Sequence, residues 1–291
     1  MQKILAPAII GLAALAATPA SALEFGDAFR VTGDFGVGYD GLLNTGSIGW
    51  DTSLGVPLSF GGVDVEVGLR TTGLTKTSGG ILFAPPRTGL YASASGQYWG
   101  LHVGFVEHAT DAYLPNFDLF QSPNANVLGP GQTPPFTPFL RFQEALTVGD
   151  TVVRAEAKYQ GFLLAYSRSN LTVFSSVYAS YDFDVAKVFA GADYASGTLL
   201  GSYFGAEGSI DKFDLAVMLM NQPGLQVTNL AATYNFNDKF SAGIVAKAFT
   251  GATYWGLNGN YQITDLVKAS VGYTNISGTG IASAQITIDL N

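Results

Sequence analysis

Charged side chains recur at every second position in several stretches of this chain. Arg154, Glu156 and Lys158 alternate with alanines, and Arg30 and Asp34 share the same parity in an earlier stretch. In an extended strand, alternate residues lie on one face. Acids and bases gathered on one face can attract or repel ions that pass close to them. The candidate residues for this chemistry are Arg30, Asp34, Asp51, Arg70, His102, Arg154, Glu156 and Lys158 on alternating stretches, with Asp111 and Asp118 between two of them.

Other chemistries fit the residue types less well. The chain has two histidines, His102 and His108, and no cysteine, so we expect no metal site. Residues 36–41 have the spacing of a dinucleotide-binding loop, but an alternating stretch follows where that motif requires a helix, so we expect no cofactor. A hydrolase is the enzymatic alternative, because a serine, either histidine and Asp111 could converge. A polar lining is the commoner outcome, and we assign no catalytic residue.

The candidate residues lie in segments with the periodicity of β-strands. Over residues 29–39, apolar side chains alternate with polar residues and glycine, which places one set on each face of a strand. After residue 22 no stretch has a sustained helical period, so the fold is predicted to be all-β. The same alternation recurs over residues 48–56, 63–70, 99–105 and 213–219.

The second half of the chain repeats. Asp184, Asp211, Asp238 and Asp265 are spaced 27 residues apart, each between two alternating runs. This period accommodates two strands of about 10 residues, the length that a tilted strand needs to cross a membrane. A water-soluble β-sandwich is the alternative, but the regular spacing and the low charged content of 12% favour contact with lipid.

The alternating runs predict a sixteen-stranded antiparallel transmembrane β-barrel. An even number of strands allows the first strand to pair with the last. The predicted strands span residues 28–39, 46–58, 63–71, 88–95, 98–106, 150–159, 162–168, 171–181, 187–195, 198–208, 212–221, 226–236, 239–249, 253–263, 266–275 and 281–290.

One connection, at about residues 107–150, is much longer than the others. It carries half of the chain's twelve prolines together with several phenylalanines. Long loops are usually functional or disordered. The amount of apolar surface predicts that this one folds back against the protein.

The first 22 residues have the layout of a secretory signal peptide. Lys3 is followed by an apolar run and by Ala20-Ser21-Ala22, which suits cleavage after Ala22. Residues 23–291 would then form one barrel domain with 13 basic and 22 acidic residues. This net negative charge argues against a nucleic-acid partner.

The order of five strands, one long loop and eleven strands resembles the general trimeric porins of the bacterial outer membrane. The first strand, Val31-Thr32-Gly33-Asp34-Phe35-Gly36-Val37-Gly38-Tyr39, is similar to that of the family, and so are Val153-Arg154 and the turn that follows Tyr159. The chain departs from the family at its end, Ile288-Asp289-Leu290-Asn291, where members commonly carry an aromatic residue.

The resemblance implies a passive pore for ions and small hydrophilic solutes, embedded in the outer-membrane bilayer as a homotrimer. It implies that the third outside loop bends into the lumen and that its acids face arginines of the wall. By position, Arg30, Arg70 and Arg154 would form the basic side, and Asp111 and Asp118 the acidic side. A substrate-specific, sugar-type channel is a second alternative.

Overall fold

A computed structural model describes residues 23–24, 29–40, 45–76, 82–114, 151–170, 173–249, 252–276 and 278–290. The predicted signal peptide and the predicted loop beyond residue 114 lie outside these ranges. Sixteen barrel strands are numbered in chain order: β1 Arg30–Asp40, β2 Thr45–Phe60, β3 Val63–Lys76, β4 Leu82–Gly96, β5 Trp99–Gly104, β6 Val152–Tyr159, β7 Phe162–Ser169, β8 Phe174–Asp182, β9 Ala186–Ala195, β10 Thr198–Ile210, β11 Phe213–Gln222, β12 Leu225–Asn235, β13 Phe240–Phe249, β14 Ala252–Gln262, β15 Val267–Ile276 and β16 Thr279–Asp289.

The strands close into a barrel. Each one pairs antiparallel with its neighbours in the chain, and β16 returns to pair with β1, from Ser283 opposite Asp40 to Asp289 opposite Asp34. A two-residue strand, Leu23–Glu24, adds to the start of β1. Closure leaves no strand edge along the wall, which is the condition for a sheet to cross a membrane. The predicted sixteen-stranded antiparallel barrel is confirmed.

The outer face of the barrel is apolar. Leu90 is 70% exposed and Phe204 62%, whereas the inward-facing Ser167 and Asp193 are 0% exposed. Because side chains alternate across a strand, the same register that turns these apolar residues outward turns their neighbours inward. Further exposed apolar residues on the outer face include Leu54, Leu69, Leu101, Leu164, Leu215, Val217, Leu230, Ile244, Leu257 and Val271.

Tight turns join the strands at the end of the barrel where β1 begins and β16 ends. The four aspartates of the 27-residue repeat all lie in these turns. Asp184 and Asp211 have φ angles of 69° and 54°, a left-handed conformation that aspartate tolerates better than most residues. The repeat thus places a turn-forming residue at the same point of successive hairpins.

Strands β3 and β4 extend past their predicted limits of residues 71 and 88. Their extra residues still pair, as in Thr72 opposite Arg87 and Leu74 opposite Ala84, with two shifts of register. These shifts lie beside Pro85 and Pro86, which donate no backbone hydrogen bond. The bulged pairing breaks the period of two, so alternation alone could not find it.

The connection after β5 begins with a short helix, α1, at Ala109–Tyr113. It packs against β7, β8 and β9 on the inner face of the barrel. This part of the wall departs from the predicted polar lining, because large apolar side chains point inward and form one cluster with Ala109 of α1. The cluster contains Ala109, Ala165, Phe174, Tyr178, Phe189, Tyr203, Met218, Met220 and Val227. In the described ranges, no helix is long and apolar enough to span a membrane.

Candidate functional site

The candidate wall residues share the inner face of the barrel. Cross-strand register places Asp34 opposite Asp51 and Arg154 opposite His102. Arg70 lies opposite Ser53, on the same parity of β2 as Asp51. Their outward neighbours are apolar, as with Leu69 and Leu101. The charged residues therefore line the interior from β1 to β6.

Glu156 is the centre of one charged network. Its carboxylate lies 3.0 Å from Arg154 Nε and 3.0 Å from Lys158 Nζ. His102 Nε2 is 3.1 Å away, and the Tyr113 hydroxyl donates a further hydrogen bond. The Glu156 side chain is 1% exposed, and a carboxylate so buried requires such partners. The network joins β5 and β6 to α1.

Glu107 links a second network to the first. Arg70 Nε donates to Asp51 Oδ1 at 2.7 Å, and Arg70 Nη2 donates to Glu107 Oε1 at 2.9 Å. Arg154 Nη1 donates to the backbone oxygen of Glu107 at 3.0 Å. Two arginines from β3 and β6 thus hold the first residues of the long connection against the wall.

Tyr113 contributes a neutral donor to the first network. Its burial, followed by its hydrogen bond to Glu156, raises the pKa of Tyr113 above its usual range, although the charge of Arg154 opposes this. The Arg154 guanidinium lies 5.6 Å from the centre of the Tyr113 ring, a cation–π contact. Tyr113 therefore keeps its proton near neutral pH and stabilises the Glu156 carboxylate.

The two remaining wall candidates lie near the end with the tight turns. Arg30 Nη1 is 3.9 Å from Glu66 Oε2, with both side chains partly exposed. Asp34 is 3% exposed and lies opposite Asp289 on β16. The ammonium of Lys268 interacts electrostatically with both of these aspartates. These contacts form a separate group from the Glu156 network.

A cluster of hydroxyl groups holds the other side of α1. Ser167 Oγ accepts a hydrogen bond from Ala109 N at 2.9 Å and lies 2.9 Å from His108 Nδ1. A further bond of 2.8 Å joins it to Ser176 Oγ on β8. The helix is thereby anchored to β7 and β8 opposite the charged networks.

Asp111 is partly exposed on α1, next to the buried Thr110. The neighbouring Thr110 hydroxyl donates to Asp193 Oδ1 at 2.8 Å. Asp111 itself interacts electrostatically with the hydroxyl of Tyr203 on β10. Asp118, the other predicted acid of the loop, lies outside the described residues.

Comparisons with known proteins show similarity of structure. A triple mutant of Rhodopseudomonas blastica porin aligns with a TM-score of 0.69 and 15% identity over 90% of this chain and 99% of that one. A second mutant of the same porin gives a TM-score of 0.68 and 16% identity over the same shares of the two chains. An engineered protein described by its asymmetric conductivity gives a TM-score of 0.69 and 15% identity over the same shares. No protein-family model and no curated protein matches the chain.

The chain has the porin fold. At such identities the likeness concerns the course of the backbone, so the roles of single residues must be argued from their own contacts. In this porin fold the charged networks and α1 meet where the long connection leaves β5.

The hydrolase alternative requires a serine in contact with a histidine. In the structure His108 and Ser167 are such a pair. Ser167 is 0% exposed, and its hydroxyl is already bound to Ala109 N and Ser176. A nucleophile must reach a substrate carbonyl, and this hydroxyl has no open side. The contact therefore anchors α1. Among the described residues, no three acidic or histidine side chains come together as metal ligands.

The residues that sequence reasoning missed belong to the helix and its anchors. Tyr113, Thr110, Ser167 and Asp193 all make buried hydrogen bonds but were not candidates. The sequence holds one weak signal for this helix. Ser167 and Ser169 lie on the same face of β7, and such small polar side chains leave room for another element to pack against the strand. Their partners could not be predicted, since the connection after β5 has no periodicity.

Proposed function

We propose that this chain is a passive diffusion channel for ions and small hydrophilic solutes. The observation that carries this proposal is a closed sixteen-stranded barrel with apolar side chains outside and charged networks inside. A barrel of this strand number is wide enough to leave a water-filled channel after its wall side chains are placed. Passage through such a channel needs no conformational cycle and no bound cofactor.

Ion preference would come from the charges on the inner wall. We assign Arg30, Arg70 and Arg154 to a basic side, and Asp111 and Asp118 to an acidic side, with Asp34, Asp51, His102, Glu156 and Lys158 lining the path. An ion that enters a narrow part of a pore loses part of its water shell, so nearby charges act strongly on it. The contacts of Arg70 and Arg154 with Glu107 support this assignment, because they hold the first residues of the long connection against the charged wall.

Export, location and assembly extend the proposal. We assign residues 1–22 to a signal peptide and residues 23–291 to a barrel in the bacterial outer membrane. A homotrimer is the expected assembly, because the fold is that of porins and the sequence resembles the trimeric family. Crosslinking in membranes should give a ladder that ends at three copies, whereas a single monomer band would contradict the trimer.

Purified protein in a planar lipid bilayer should produce stepwise increases in conductance. The detergent-solubilised chain should first be shown to be folded by its β-sheet circular dichroism. Folded protein that never conducts would overturn the channel. Cleavage of lipid or peptide that is lost on replacing His102 and His108 would instead favour the hydrolase.

The acidic side is tested by the double variant Asp111→Asn with Asp118→Asn. Removing two negative charges near the path should lower cation preference, measured as the reversal potential in asymmetric salt. Asp211→Asn with Asp238→Asn removes the same charge at exposed turns and should leave the potential nearly unchanged. Equal potentials for wild type and the loop variant would discard this assignment.

A further inference from the structure

A recess of about 470 Å³ opens at the end of the barrel that carries the tight turns. It lies between the β4–β5 turn, the β6–β7 turn and the ends of β8 and β9. Its lining combines ammonium, carboxylate, amide and hydroxyl groups. These groups belong to Lys158, Lys187, Asp182, Ser180, Gln97 and Gln160, and the rings of Tyr98, Tyr159 and Phe162 with the Leu163 side chain add apolar surface.

One side of the recess has an excess of positive charge. Lys158 and Arg154 both lie 3.0 Å from the single carboxylate of Glu156. The Lys158 side chain is 47% exposed, whereas that of Arg154 is 11% exposed. An ammonium has three donors, and the contact with Glu156 uses one of them. Lys158 can therefore present positive charge and free donors to the recess.

The other side has an excess of negative charge. Lys187 pairs with Glu207 across β9 and β10. It also lies directly opposite Asp182 in the register of β8 and β9. One ammonium thus faces two carboxylates. Asp182 is exposed and accepts one further hydrogen bond at Oδ1, from Asp184 N at 2.9 Å.

The recess has a positive pole at Lys158 and a negative pole at Asp182. The distance between these two poles limits the size of a ligand. Lys158 lies opposite Leu163, which lies opposite Ser180, so Asp182 is two strands away and two residues further along. With strands about 4.8 Å apart and a rise of about 3.3 Å per residue, the two Cα atoms are about 12 Å apart.

We propose that this recess binds a short zwitterionic solute, such as a dipeptide, with its carboxylate at Lys158 and its ammonium at Asp182. The inference rests on the proposed channel function and names one class of solute that the channel would hold. The amides of Gln97 and Gln160 and the hydroxyl of Ser180 provide hydrogen bonds for the peptide group. A solute with one charge would contact one pole only.

Alanyl-alanine is the probe, added to single channels conducting potassium chloride at pH 7. Wild type should show a reduction in current that saturates with peptide concentration. Lys158→Gln and Asp182→Asn should each raise the half-blocking concentration about fivefold, or about 1 kcal/mol, the size expected for a partly exposed ion contact. Glutamine at position 158 can still donate to Glu156, so the wall network is kept.

Two controls separate the pole charges from general effects. Lys212→Gln and Asp238→Asn make the same chemical changes at other turns and should leave the half-blocking concentration unchanged. N-acetyl-alanyl-alanine lacks the ammonium, and alanyl-alanine amide lacks the carboxylate, so each should block more weakly than the dipeptide.

The outcomes distinguish this inference from the proposed channel. A normal salt current with no effect of alanyl-alanine would overturn the zwitterion site alone. Equal block in wild type and both recess variants, or equal block by the acetylated peptide, would overturn it as well. Absence of any salt current would count against the channel itself.

Discussion

Gly33 has a backbone conformation that few other residues adopt. Its φ is 118°, and a Cβ at this position would lie 2.1 Å from the backbone oxygen of Asp51. Gly33→Ala should therefore destabilise the barrel by about 1–3 kcal/mol, the usual cost of local backbone strain. Thermal unfolding of the detergent-solubilised protein, followed by circular dichroism, measures this change.

Gly259→Ala is the matched control for that experiment. A Cβ at position 259 would meet its nearest neighbours, Val271 and Phe240, at 3.8 and 3.9 Å, which is ordinary van der Waals contact. The control should unfold close to the wild-type temperature. A Gly33→Ala protein as stable as this control would show that β1 relaxes without strain.

For single residues, the period of two predicts which face of a strand a charged side chain occupies. It does not predict which group that side chain contacts. Arg154 and Lys158 flank Glu156 on β6, and the register of β5 with β6 brings His102 to the same carboxylate. The fourth partner, Tyr113, comes from a segment without alternation. Its contact depends on how the long connection enters the barrel, which no local pattern encodes.

Among the elements, α1 is stabilised by its hydrogen bonds to the barrel wall more than by its intrinsic helix propensity. Five residues are too few for a stable isolated helix, and no side chain caps its N-terminus. Ser167 takes the role of a cap, because its hydroxyl accepts a hydrogen bond from Ala109 N. Thr110 adds the bond to Asp193, so the wall supplies what the helix lacks.

Ser167→Ala should loosen α1 while leaving the barrel closed. The substitution deprives the buried Ala109 N–H of its acceptor, which costs about 1–3 kcal/mol. Hydrogen–deuterium exchange of residues 107–114 should become about fivefold to a hundredfold faster, since 1.36 kcal/mol corresponds to a factor of ten. Ser175→Ala, on the outer parity of β8, should leave this exchange unchanged. Faster exchange in both variants would mean that the Ser167 hydroxyl has no special role.

The barrel strands themselves were largely predictable. All sixteen predicted segments overlap a strand of the structure, because outward apolar and inward polar residues give each strand its own period of two. The alternation is weakest at β8 and β9, where Phe174, Tyr178 and Phe189 point inward and both faces carry apolar residues, although the predicted strands there still match those of the structure. A helix packed inside the barrel removes the need for polar residues there, and the alternation weakens with it.

For the whole molecule, the decisive property is the opposition between its two surfaces. The outer face presents large apolar side chains over its whole described circumference, and the inner face holds the charged networks and the recess. In water the exposed apolar outer face would cause the protein to aggregate. In a bilayer the same face contacts the lipid chains. Substitutions on the outer face can therefore test the membrane location without a measurement of transport.

A charge placed at the middle of the outer face should oppose insertion into a bilayer. Val217 lies mid-strand on β11 and is 38% exposed, whereas Ile210 lies beside a tight turn at the end of β10. Val217→Arg should lower the free energy of unfolding of the vesicle-embedded protein by about 2–4 kcal/mol, and Ile210→Arg by about 0–1 kcal/mol, because the cost of burying arginine falls towards the membrane surface. Urea titration of vesicle-bound protein, followed by tryptophan fluorescence, measures both values. Equal costs at the two positions would mean that the outer face does not contact a hydrocarbon layer, and the channel proposal would fail with it.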